Sequence, residues 1–134
     1  MRQIRILIVL GGLLASSIVL ARAAELTIND PSRPVHAVDT LGGKAPNKNV
    51  RVYVVVNPVE QPQQFWVQEQ AAVDSRGNWT CNVHFGDPIA RDSGKKFRVK
   101  VFADANLNLP VGLTQNGNWP QAKWVSEEIT VTRE

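Results

Sequence analysis

The chain has 134 residues, with 15 Lys and Arg against 12 Asp and Glu, 43% hydrophobic residues and one cysteine. That length holds one domain and is too short for two, and a single cysteine excludes an internal disulfide. The formal charge of +3 would point to nucleic acid only if the excess cations belonged to the folded part, and they do not.

Residues 1–23 read as a secretory signal peptide. Arg2 and Arg5 form a basic start, residues 6–20 an apolar run, and Ala21-Arg22-Ala23 places small residues where a signal peptidase reads them. Cleavage is expected after Ala23, with Ala24 as the next choice and retention as an uncleaved anchor as the alternative. The apolar run is shorter than the roughly 20 residues of a membrane-spanning helix, and no second one follows, so no stable span is expected after cleavage. Arg2, Arg5 and Arg22 leave with this segment and no acid does, so residues 24–134 carry equal numbers of cations and anions. The basic field of a nucleic-acid binder is therefore missing. An exported protein, periplasmic or extracellular, is the expectation.

Residues 24–134 show no long helical period, and turn residues recur about every 8–12 positions, as in an all-β sandwich. Residues 25–29 predict a first short strand with Leu26 and Ile28 on one face. Pro31 and Pro34 interrupt it, since proline gives no ladder donor. A weaker strand is expected at residues 35–41 and a loop at 42–49. Residues 50–57 (VRVYVVVN) are the strongest β segment, with Val50, Val52, Val54 and Val56 on one face and a mixed second face, Tyr53 and Val55, that asks for partial cover. Residues 64–68 form a short strand in which Trp66 opposes Phe65 and Val67. After a polar turn at 74–78, Trp79, Cys81, Val83 and Phe85 alternate with Thr80, Asn82 and His84, the period of a half-buried strand. Residues 86–94 read as a loop. Residues 95–103 alternate again, with Phe97, Val99, Val101 and Ala103 inward and Lys96, Arg98 and Lys100 on a solvated outer face that discourages edge pairing. Residues 104–123 are irregular. The closing strand, 124–132, places Val125, Ile129 and Val131 in register, and Glu127 breaks the pattern as a bulge or a late start.

The segments Val73-Asp74-x-x-Gly77-x-Trp79-Thr80 and Gly94-x-x-Phe97-x-Val99-x-Val101, followed by Ala103-Asp104, resemble bacterial immunoglobulin-like β-sandwich domains. Residues 52–58 and 66–68 are also similar to segments of small exported bacterial proteins of that class. The resemblance covers roughly residues 50–103 and implies an immunoglobulin-like two-sheet sandwich of seven or eight strands over residues 24–134. It implies fold more than activity, since this architecture hosts many functions. Two features depart from it: about 20 irregular residues stand where a short turn follows Ala103-Asp104, and the immunoglobulin cysteine pair is absent, as in many bacterial members.

Catalytic signals are few. His36 and His84 are the two histidines. Cys81 and His84, three apart on a strand, fall on opposite faces, as do His36 and Asp39, while a Cys81–His36 pair depends on the fold. No nucleophile elbow, zinc-protease helix motif or phosphate loop is present, so no catalytic residue and no cofactor is expected. Cys81 lies on the apolar side of its strand as a small hydrophobe. Asp104-Ala105-Asn106-Leu107-Asn108 imitates the start of a calcium loop, but Leu109 replaces the required glycine and Gln115 the bidentate glutamate, which favours an Asx-rich turn. The apolar residues of segment 106–124 argue against disorder. Either it folds back over an open end of the sandwich, or it recognises a ligand through Trp119, Trp124, Asn116, Asn118 and Leu109, aromatic and amide groups suited to a sugar or a protein partner. The expected function is a non-catalytic binding module, monomeric or weakly associating, for a polysaccharide or a cell-envelope protein. The alternatives are an envelope assembly or accessory subunit pairing through a sheet edge, at residues 25–29 or 124–132, and an unrecognised hydrolase.

Overall fold

The computed structural model describes residues 25–134; the expected signal segment and Ala24 lie outside them. The described residues form strands β1 (Val38–Lys44), β2 (Arg51–Pro58), β3 (Trp66–Val67), β4 (Ala72–Val73), β5 (Asn78–His84), β6 (Lys96–Asp104), β7 (Gly112–Leu113), β8 (Trp124–Val125) and β9 (Ile129–Thr132), with one 3₁₀ turn at Ala90–Asp92. Three strands form one sheet in the order β1-β5-β4. The other six form the second, in the order β7-β3-β2-β6-β8, with β9 also on β6. Neighbouring strands within each sheet are antiparallel. The fold is all-β, with two sheets packed over a shared core.

Alternation in β2, β5 and β6 builds that core. Val52, Val54 and Val56 of β2 and Phe97, Val99 and Val101 of β6 meet Trp79, Cys81 and Val83 of β5. Gly77 enters β5 at φ 81°, while the Asp74 carboxylate accepts the N–H groups of Arg76 and Asn78, each at 2.9 Å. The second face of β2 is also covered: Tyr53 and Val55 join Phe65, Val67 and Phe102 in a smaller apolar cluster, roofed by Leu107, Leu109, Trp119 and Ala122.

Four local expectations change. Residues 25–29 run extended beside β1 without closing a regular ladder, through Thr27 N–H to Lys44 O and Asn29 N–H to Gly42 O, both 2.8 Å. Beyond them Val35 makes a parallel bridge to Arg133 beside β9, so the chain start serves both sheets. The strand expected at 35–41 is β1 and runs on through Gly42 and Gly43. Gly43 suits its place in the strand because the Trp79 side chain and the Thr27 carbonyl occupy the space a Cβ would need: one built there would stand 2.1 Å from Thr27 O and 2.8 Å from Trp79 Nε1.

The third change concerns the closing strand, which divides into β8 and β9 around a bulge. Val125 pairs Phe102 and Ile129 pairs Val99, so residues 126–128 oppose only Lys100 and Val101. The Ser126 hydroxyl accepts the Val101 N–H at 2.9 Å, replacing a ladder bond. One extra residue reverses the faces: Val125 turns outward at 46% exposure, away from the side of Ile129 and Val131, and Trp124 packs on the main core instead. The fourth is the long irregular segment, which contributes β7 to the sheet edge and folds over the expected solvated face. Arg98 and Lys100 are there only half-exposed, with Arg98 Nη1 donating to Asn57 Oδ1 at 3.1 Å.

Candidate functional site

Segment 106–124, expected either to cover an open end of the sandwich or to bind, is largely engaged in packing. Trp119 lies edge-on to Phe65, ring centroids 4.8 Å apart, and 6.0 Å from Phe102. Its ring is also capped by Lys100 Nζ at 5.0 Å, as that of Trp124 is by Lys123 Nζ at 4.6 Å. Leu109 packs on the outer cluster. Asn116 and Asn118 are exposed but close a turn on each other, through Asn118 N–H to Asn116 Oδ1 and Asn118 Nδ2 to Asn116 O, both 3.2 Å. The structure does not gather these five residues around one concavity. The Asp104 carboxylate closes the segment, accepting the Ala105 and Lys123 N–H groups at 2.8 and 3.2 Å.

A different aromatic residue is offered. Trp66 pairs with Val56 in the β2–β3 register, so its side chain shares the inner face with Val56, a core residue. The three-stranded sheet does not extend over β3, and Trp66 is left 39% exposed. Its partner on the other side is Leu113 of β7, on the same face and 43% exposed. Trp66 forms part of a cleft of about 530 Å³ at one end of the molecule, with Val56, Pro58 and Phe97 among its apolar lining and Gln64, Gln68 and His84 among its polar lining. That volume falls in the range of small-molecule sites, roughly 300–1,000 Å³.

Hydrogen bonds hold the polar groups near Trp66. Gln64 Oε1 accepts the Trp66 indole N–H at 3.2 Å. The buried Gln68 bridges the sheets, its Oε1 accepting the His84 N–H at 2.9 Å and its Nε2 donating to Trp66 O at 3.3 Å. The far wall comes from residues 86–95. Buried Arg133 fastens this loop, donating to the carbonyls of Phe85 at 2.9 Å, Asp87 at 2.5 Å and Ile89 at 3.1 Å.

Most charges along the cleft are paired. Asp87 binds Arg91, and Lys95 Nζ lies 2.9 Å from Asp92 and 3.9 Å from Glu60. The Asp87 N–H first, and Lys95 second, hold the Asp92 carboxyl below the usual carboxylate range, while Asp92 raises the Lys95 ammonium. Lys96 donates to the Thr132 hydroxyl at 3.0 Å and keeps its charge, so the lining holds three cations against three anions.

The titratable candidates remain apart. Cys81 is buried and His84 exposed on the other side of β5; burial, then the Glu69 charge, pushes the Cys81 thiol up to about 11. His36 pairs with Glu134 through its ring. No group of three metal-ligating side chains occurs among the described residues. Comparison with protein-family models, with curated proteins and with solved structures finds no match.

Sequence reading passed over Trp66 because its strand is short. The usable signal was there: an aromatic residue out of phase with Phe65 and Val67, flanked by Gln64 and Gln68 on its own side. Arg133 carried no signal, since its role depends on carbonyls more than forty positions away.

Proposed function

We propose that this protein is an exported, non-catalytic binding module of immunoglobulin-like architecture, and that its cleft recognises an uncharged saccharide at or outside the cell envelope. The observation that carries the reading is the Trp66 ring, exposed in a cleft whose lining has as many cations as anions, between two fixed glutamine amides. An aromatic face suits the apolar face of a sugar ring, and amides supply the donors and acceptors that hydroxyls require. The lining carries three anions, Glu60, Asp87 and Asp92, against three cations, Arg91, Lys95 and Lys96, so it offers no net charge to attract an ionic ligand. The signal segment read from the sequence supports export, and the two-sheet core with its D-x-x-G-x-W hairpin supports the immunoglobulin-like assignment.

The test is a glycan array of neutral and acidic saccharides, followed by calorimetric titration of any hit. Neutral glycans are expected to bind, and Trp66→Ala to weaken them about tenfold or more, as removal of a central aromatic anchor does. Trp66→Ala is expected to lower the melting temperature much less than truncation of a fully buried tryptophan, because Trp66 is 39% exposed. Binding restricted to acidic glycans, or a hit with undiminished affinity for Trp66→Ala, would refute the assignment.

A further inference from the structure

A second concavity, of about 580 Å³, lies on the opposite side of the molecule between the edges of the two sheets. Residues 25–28 line one wall and residues 123–127 the other. Its backbone carries free hydrogen-bonding positions. Thr27 and Asn29 direct their N–H groups to β1, so the alternating groups of Leu26 and Ile28 face away from β1. On the other wall the Ser126 N–H bonds Val101 O, so the preceding Val125 presents its N–H and C=O away from β6. Val125 is exposed, and Leu26, Ile28 and Trp124 give the groove its apolar lining.

The charge on the walls is uneven. Glu25 and Glu127 line the groove and make no salt bridge among the described residues, and the single lining cation, Lys123, rests on the Trp124 ring. Two carboxylates against one cation leave the open strand edge with a negative excess, which disfavours an acidic strand and attracts a basic one.

We propose that this groove takes an extended, basic segment of a partner protein, added as a strand beside β8 with its Lys or Arg side chains against Glu25 and Glu127. Main-chain bonds to Val125 hold such a strand, and alternate side chains reach Leu26, Ile28 and Trp124. The bulge at residues 126–128 limits the docked length, because the edge changes face there. This site is independent of the Trp66 cleft.

The test uses a synthetic peptide of alternating Val and Lys, its Val and Glu counterpart, and the Val and Lys peptide N-methylated at alternate amides. Each is titrated into the protein by calorimetry and by backbone amide NMR. The Lys peptide is expected to bind about tenfold or more tightly than the Glu peptide, with shifts at Leu26, Ile28 and Val125. Combined Glu25→Gln and Glu127→Gln substitution is expected to abolish that preference, and N-methylation to abolish binding. Equal affinity for both charge types, no binding of the Lys peptide, or shifts confined to other residues would overturn the proposal. So would concentration-dependent self-association by sedimentation that buries the same residues, since the occupant would then be a second copy of the chain.

Discussion

Replacing Trp79 by alanine should be the most damaging single change in this domain. The side chain is fully buried at the point where β5 faces both β2 and the start of the chain, and its indole N–H donates to Thr27 O at 2.8 Å. Truncation removes the largest apolar group of the core and leaves a cavity beside Gly43, which has no side chain to collapse into it. Large-to-small changes of this type cost about 3–5 kcal/mol. The lost hydrogen bond is the smaller part, about 1 kcal/mol, because residue 27 is exposed and water can reach its surroundings. At roughly 4 °C per kcal/mol for a domain of this size, the melting temperature should fall by about 12–20 °C. Trp79→Phe, which keeps most of the volume but not the N–H, should lose only about 1–2 kcal/mol. Thermal denaturation followed by circular dichroism measures both. Amide exchange adds a local readout, since Thr27 and Asn29 should lose protection first when the ring that pins residues 25–29 is gone. A Trp79→Ala protein melting within about 3 °C of the parent, with unchanged protection at those amides, would refute the placement of Trp79 as the anchor between the chain start and the core.

Further predictions concern neighbouring contacts. Gly43→Ala should cost about 1–3 kcal/mol in urea denaturation, because its Cβ would collide with backbone at Thr27. Gly42→Ala, whose Cβ would meet Trp79 O at 3.1 Å, should cost less, and the reverse order would contradict the register. Ser126→Ala should cost about 1–3 kcal/mol by leaving the buried Val101 N–H without its acceptor, and Ser126→Thr should recover part of the loss. The Arg33 hydrogen bonds, against some desolvation and aided by the His36 and Thr40 N–H groups, hold the Asp39 carboxyl well below the usual carboxylate range. A carboxyl that binds protons more weakly when folded contributes stability above its unfolded value of about 3.9 and loses it as pH falls below that value. Asp39→Asn should therefore flatten the decline in the urea midpoint on acidification below about pH 4, and an unchanged decline would exclude this carboxylate as a cause. Cys81, buried and with its thiol pushed up to about 11, should resist an aromatic disulfide reagent at about pH 8 until urea unfolds the chain.

How legible the molecule was depends on what each residue's position encodes. Alternation in β2, β5 and β6 specified which side chains face the core, because a buried strand face leaves a period of two. The outer cover was legible in half: Tyr53 and Val55 asked for it, yet the roof comes from residues 107–122, where Leu107, Leu109, Val111 and Leu113 alternate across Pro110 and Gly112 and of these only Leu107 and Leu109 pack on the cluster. The bulge was legible as a misfit at Glu127, but its consequence required the partner strand. Only the pairings Phe102–Val125 and Val99–Ile129 show that Trp124 turns inward and Val125 outward. Trp119, Trp124 and Trp66 illustrate the same limit. Composition marks Trp119 and Trp124 as recognition candidates and passes over Trp66, and only the fold shows that the first two are packed and capped by lysines while the third remains open.

The two concavities share a cause in the inequality of the sheets. Six strands face three, and the chain start adds only a partial fourth beside β1. On the β3 side the inner face of the larger sheet continues past the smaller one, so residues whose phase directs them inward, Trp66 and Leu113, meet solvent instead of a core. On the β8 side the smaller sheet is extended only by residues 25–29, and Pro31 and Pro34 carry the chain away to Val35 and β9 before the edge is closed. The Trp66 cleft therefore exposes side chains and suits a ligand read by stacking and amides. The groove at residues 25–28 and 123–127 exposes backbone and suits a ligand read by ladder bonds. Filling either gap with further strands would improve the core and remove the surface. On the proposed reading, these two edges trade core burial for recognition, while the β2–β5–β6 centre stays closed.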